Sequence, residues 1–69
     1  MSVYRVSDII GTSTQSWEDA ASVALKTASG TLRDLRVAEV VAQDISLAES
    51  GEVTYRTKLR VSFKYEAAE

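Results

Sequence analysis

Sixty-nine residues with 8 basic and 10 acidic side chains, a formal charge of −2, no Cys and no His leave room for one small domain over residues 1–69. They exclude disulfides, thiolate metal sites and the usual general base, and the slightly acidic balance argues against a nucleic-acid partner. A chain this short buries only about 60% of the surface it exposes when unfolded, so it needs self-association, or a hard cation held by oxygen ligands, to make up the deficit.

The chain order reads strand, helix, strand, strand. Met1 to Ile10 carries the β-formers Val3, Tyr4, Val6, Ile9 and Ile10 and predicts a first strand. Gly11-Thr12-Ser13 reads as a break rich in turn residues. Ser16 then has the character of a helix N-cap, with Glu18 and Asp19 placed where the positive end of the helix dipole favours carboxylates. From Trp17 to about Leu35, the positions Ala21, Ala24, Leu25, Ala28, Leu32 and Leu35 recur at helical spacing and form one apolar stripe. Its alanines suit close packing on a sheet, and Gly30 within this run marks a close approach or a weak last turn. Val37 to Leu47 predicts a second strand, Ala48-Glu49-Ser50-Gly51 a turn, and Glu52 to Tyr65 a long third strand that alternates strictly. Val53, Tyr55, Thr57, Leu59, Val61, Phe63 and Tyr65 share one face; Thr54, Arg56, Lys58, Arg60, Ser62 and Lys64 share the other.

The expected fold class is therefore α+β, one antiparallel sheet packed on a single helix. A helix with an apolar stripe about 100° wide cannot cover the whole face of so long a hairpin. Part of that face must meet another chain, which would also cover the unpaired edge of a terminal strand. No segment has the length and apolarity of a membrane span, and the N-terminus lacks the basic and apolar regions of a signal peptide, so a cytoplasmic protein is expected.

Four stretches taken together resemble the dodecin family: Ile10-Gly11-Thr12-Ser13, Ser16-Trp17-Glu18-Asp19-Ala20-Ala21, Val37-Ala38-Glu39-Val40 and Thr54-Tyr55-Arg56-Thr57. The resemblance covers nearly the whole chain. It implies a homododecameric hollow shell that binds and sequesters flavins (FMN or riboflavin) in pairs between subunits, without catalysis. Two positions depart from the family pattern. Val37 stands where the family places the tryptophan that stacks on the flavin ring, and Arg56 stands where it places a glutamine against the ring's polar edge. A lost stacking face forfeits about 1–3 kcal/mol per ring. Arg56 donates hydrogen bonds but accepts none, so it cannot replace glutamine at a ring N–H. Within the family the likeness is strongest to the calcium dodecin variant, through Asp8-Ile9-Ile10-Gly11-Thr12-Ser13, Ser16-Trp17-Glu18 and Arg36-Val37-Ala38, and this makes calcium the competing cargo. A third alternative is an empty structural shell.

Among the remaining residues, Trp17 reads as packing at the helix start. The stripe Arg56, Lys58, Arg60 and Lys64 reads as cross-strand and intersubunit ion pairing with acids such as Glu39 and Asp44, the lining of an anion pocket being the alternative. Calcium takes six to eight oxygens. Of the carboxylates Asp8, Glu18, Asp19, Asp44, Glu49 and Glu52, Asp8 is the favoured metal ligand because an aspartate is out of place inside a strand. Asp44 to Gly51 lacks the acidic spacing and length of an EF-hand. Ser and Thr have no His or Cys to activate them, and the glycines form no phosphate-cradling loop, so no catalytic residues are assigned.

Overall fold

The computed structural model describes residues 1–29 and 35–64. The elements are β1 (Tyr4–Ser13), α1 (Trp17–Ser29), β2 (Leu35–Leu47) and β3 (Val53–Lys64). They build one antiparallel sheet of order β1-β3-β2, so the α+β architecture expected from the sequence is the one found. The longest alternating segment, β3, is the central strand, and its two faces are those read from the sequence. Thr57, Leu59, Val61 and Phe63 are buried, whereas Arg56, Arg60 and Lys64 are exposed.

Helix α1 lies across β1 and β3. Its buried line is Ala20, Ala24 and Ala28, one turn apart, and Ile9, Ala21 and Leu25 flank the cluster of Ala24, Leu59 and Val61. Small side chains bring the helix so close that a Cβ at Gly11 would lie 2.0 Å from the Ala20 carbonyl oxygen and 2.8 Å from the Ala24 Cβ. This contact explains a correction. Gly11-Thr12-Ser13 is not a break: the strand runs on, pairing with Thr57, Arg56 and Tyr55, because a strand without a side chain at this point is what lets the helix dock.

The helix begins as expected. The Asp19 amide donates to Ser16 Oγ at 2.9 Å, the N-cap bond. Ser13 Oγ donates to Asp19 Oδ2 at 2.6 Å, tying the end of β1 to the first turn. The helical reading ran too far at the other end. Leu35 opens β2 opposite Phe63 rather than closing the helix, since pairing with the central strand prevails over its helical spacing. Gly30, Leu32 and Tyr65 lie outside the described residues.

The β2–β3 turn forms where predicted. The Gly51 amide donates to the Ala48 carbonyl at 2.9 Å, the Ala48 amide donates to the Glu52 carbonyl at 3.0 Å, and Gly51 takes φ +93°, the position in such turns that glycine fills without steric cost. Strand β2 carries two register shifts against β3, between Leu35 and Val37 and between Val40 and Ala42. Among the described residues, no helix is long and apolar enough to cross a membrane.

Because α1 packs mainly on β1 and β3 and reaches β2 through Trp17, most of β2 has no helix behind it. Val37, Val40, Ile45 and Leu47 are exposed, as are Tyr4, Val6 and Ile10 on β1. The radius of gyration is 14.3 Å and the principal extents are 53 × 20 × 16 Å. A compact domain of this length would have a radius near about 11 Å.

Candidate functional site on the open face of the sheet

Opposite the helix, the even-numbered residues of β3 meet even-numbered β1 residues and a set of β2 residues fixed by the bulge at Val41. Glu39 is the register partner of Arg60, and Asp44 that of Arg56. Asp44 lies five positions after Glu39, so strict alternation would send the two acids to opposite faces. The extra residue between Val40 and Ala42 restores them to the same face, where they oppose the two arginines.

Two bidentate pairs organise this face. Arg56 Nε and Nη2 donate to Asp44 Oδ1 and Oδ2 at 2.7 and 3.0 Å. Arg60 Nε and Nη2 donate to Asp8 Oδ1 and Oδ2 at 2.9 and 3.2 Å, and Lys58 Nζ lies 3.9 Å from Asp8 Oδ2. Hydrogen bonding from Arg60 holds the Asp8 carboxyl below its ordinary value; partial desolvation opposes this, and the charges of Arg60 and Lys58 reinforce it. Arg56 acts on Asp44 in the same sense. Arg60 is raised chiefly by its hydrogen bond to Asp8, with a further contribution from the charge of Glu39. Both aspartates are therefore ionised at neutral pH, and they share their face with Val6, Ile10, Val37 and Ala42.

The sequence-predicted residues thus divide. Arg56 lines a shallow depression of about 270 Å³ with Ile10, Ala42, Asp44 and Lys58. Val37 is exposed and pairs with Ser62, on the order of 20 Å along β3 from Arg56 at the usual rise per residue. One chain does not bring Val37 and Arg56 together, so any pocket using both has to be closed by another copy. Asp8 stands beside Arg60 and Lys58, which is why an aspartate is tolerated inside β1. The ion-pair reading of the basic stripe holds for Arg56 and Asp44. Sequence reasoning missed the Asp8–Arg60 pair, whose members lie 52 positions apart. The available signal was the antiparallel match of an isolated acid in the first strand with the basic stripe of the last.

Trp17 packs as expected. Its ring meets Tyr55 edge-to-face with centroids 5.3 Å apart, and Nε1 donates to the Asp44 carbonyl at 3.0 Å. Thr57, the buried polar residue of the core, donates from Oγ1 to the Trp17 carbonyl at 2.9 Å. The helix start is thereby fastened to β2 and β3 next to the Asp44–Arg56 pair.

Calcium is a hard cation that takes oxygen donors. The chemistry fits, since the face offers carboxylate oxygens and the chain has neither imidazole nor thiolate. The number does not fit within one chain: among the described residues no three acidic side chains cluster. Copies related by symmetry would have to supply the remaining oxygens.

Comparisons with known proteins place the chain among close relatives. The family model for dodecin matches residues 3–66. Calcium dodecin of Mycobacterium tuberculosis is 52% identical over 69 residues, covering 100% of this chain and 97% of the relative. The crystal structure of that calcium dodecin, described as a calcium-chelating immunodominant antigen with a novel calcium-binding site, superposes with a TM-score of 0.88 at 50% identity over 99% of this chain and 97% of the other. Dodecin from Streptomyces coelicolor superposes with a TM-score of 0.88 at 31% identity, over 97% of this chain and 96% of the other.

Proposed function

The chain belongs to the dodecin family, and on that premise we propose that it is a non-catalytic subunit of a closed homododecameric shell in the cytoplasm that binds and sequesters calcium. The observation that carries the shell is the apolar surface left without cover: Val37, Val40, Ile45 and Leu47 on β2, and Tyr4, Val6 and Ile10 on β1. Tyr4, Val6, Ile10 and Val37 lie on the open face and Val40, Ile45 and Leu47 on the helix side; exposed apolar surface on both faces marks interaction sites, and neighbouring copies would pair or cover the free edges of β1 and β2.

The calcium reading is supported by full-length likeness to a relative described as calcium-chelating and by an ionised, part-exposed Asp8 on the open face. Asp8 is the proposed metal ligand, repeated by symmetry until the coordination number is met. Val37 and Arg56 occupy the family's flavin positions in altered form. Valine offers no aromatic plane, and Arg56 is already engaged by Asp44, so FMN is expected to be held weakly.

Native mass spectrometry of the purified protein tests this reading directly. The expected result is a twelve-subunit mass that loses bound calcium to a chelator and gains no FMN. A dodecamer carrying flavin would transfer the assignment to flavin storage, an empty dodecamer that ignores added calcium would leave a structural shell, and a monomer would discard the shell itself.

A further inference from the structure

Lys58 stands between Arg56 and Arg60 on the open face, and its register partners are Ile10 on β1 and Ala42 on β2. The two arginines are each held by both oxygens of an aspartate, Arg56 by Asp44 and Arg60 by Asp8. Lys58 has no such partner. The nearest carboxylate oxygen among the described residues is Asp8 Oδ2 at 3.9 Å, too far for a good hydrogen bond. Both oxygens of that carboxylate already accept from Arg60. The ammonium group therefore keeps its donors for an acceptor that one chain does not supply.

Lys58 borders the depression of about 270 Å³ that Ile10, Ala42, Asp44 and Arg56 also line. Ile10 and Ala42 give it an apolar part. Its polar part holds Arg56, Lys58 and Asp44, and these sum to a single positive charge. Asp8 and Glu39, the other acids of this face, stand opposite Arg60 and do not line it. Asp44 also orients its neighbour: with Nε and Nη2 engaged, the guanidinium of Arg56 is fixed, and its remaining N–H groups are still unused by Asp44.

We propose that this depression binds a small organic carboxylate. Lys58 neutralises the ligand's charge, Arg56 donates hydrogen bonds to it, and Ile10 with Ala42 receives its apolar body. The surplus of one positive charge matches a monoanion, whereas a dianion would leave a negative charge beside the ionised Asp44. The volume falls just below the range of about 300–1,000 Å³ typical of ligand pockets, which limits the occupant to a small molecule. No metal takes part, so the site stands or falls independently of calcium.

Calorimetric titration of the assembled protein with sodium benzoate tests the proposal, alongside a native mass spectrum of each variant. Fluorescence of Trp17 gives a local readout, since its indole N–H donates to the Asp44 carbonyl next to the depression. Benzoate should bind saturably and change that fluorescence, while benzyl alcohol, which lacks the charge, should do neither. Lys58→Met should weaken benzoate about fivefold and Lys58→Arg should retain it, the range open to an exposed charge pair. Asp44→Asn, which removes the one negative charge of the lining, should tighten binding about two- to fivefold. Absence of saturation, or equal affinity in Lys58→Met, would overturn the site. Inorganic phosphate binding as tightly as benzoate would overturn the assignment of a carboxylate with an apolar body. If Lys58→Met no longer assembles while Lys58→Arg does, the missing carboxylate belongs to a neighbouring copy and the small-ligand site is overturned as well.

Discussion

A methyl group added at Gly11 would sit 2.0 Å from the Ala20 carbonyl oxygen and 2.8 Å from the Ala24 Cβ, and both obstacles are rigid helix. Gly11→Ala must push α1 off the sheet, and overpacking of this kind costs about 1–3 kcal/mol. Denaturant unfolding should show a lower midpoint at unchanged slope; a neutral result would mean the helix can give way. The aspartates make a prediction of a different kind. Asp44 is held below its ordinary 3.8 by its hydrogen bonds from Arg56, and Asp8 is held low by Arg60. On acidification the unfolded chain takes up these protons first. The stabilisation from both pairs is therefore complete above 3.8 and is lost as pH falls from there through the lower folded values. Thermal midpoints followed down from about pH 6 to about pH 2 should begin to drop near 3.8 and keep falling below it, and Asp44→Asn should flatten part of the drop. Unchanged curves in the variant would show that the pair contributes nothing measurable.

At the scale of elements, β3 was legible from Val53 to Lys64 because a strand buried on one side writes its two faces into every second residue. The helix start was equally legible, since Ser16 and the acids behind it are local signals. Three features were not. The end of β1 was hidden because Gly-Thr-Ser carries turn propensity, which pairing with Thr57, Arg56 and Tyr55 overrides. The end of α1 was hidden because Leu35 fits the helical spacing yet pairs with Phe63. The bulge at Val41 was hidden because a bulge leaves no compositional mark in a run of β-formers. It nevertheless decides the candidate site: Asp8 was legible as an odd residue in a strand, but not as the partner of Arg60 beside Glu39. Deleting Val41 leaves Glu39 four positions from Asp44, so plain alternation keeps both acids on the open face without the bulge. The deletion variant should therefore keep its ion pairs and melt close to the wild type. A loss of about 2 kcal/mol, or roughly 10 °C in Tm for a domain of this size, would show that the bend itself is needed.

For the molecule as a whole, the shape decides where stability has to come from. Extents of 53 × 20 × 16 Å describe a plank whose described core consists of Ala20, Ala24, Ala28, Leu59, Val61 and Phe63 with Thr57. Three of these are alanines, which bring little area out of water. Most of the stabilisation therefore has to come from surfaces that one chain leaves open. Stability of this origin depends on concentration. Diluting the protein a hundredfold should lower the thermal midpoint by several degrees, whereas a midpoint indifferent to dilution would place the stability inside the single chain.

The strand order β1-β3-β2 also has a consequence during synthesis. The strand that joins the other two is the last to leave the ribosome, so β1 and β2 emerge with no partner between them. The β2–β3 hairpin closes over a short loop, whereas β1 pairs across separations such as Asp8 to Arg60 and has to wait for the hairpin. A prematurely terminated chain has no sheet and presents no formed edge to a neighbour. A chain that lacks β3 therefore cannot form this sheet, however complete its first two strands are.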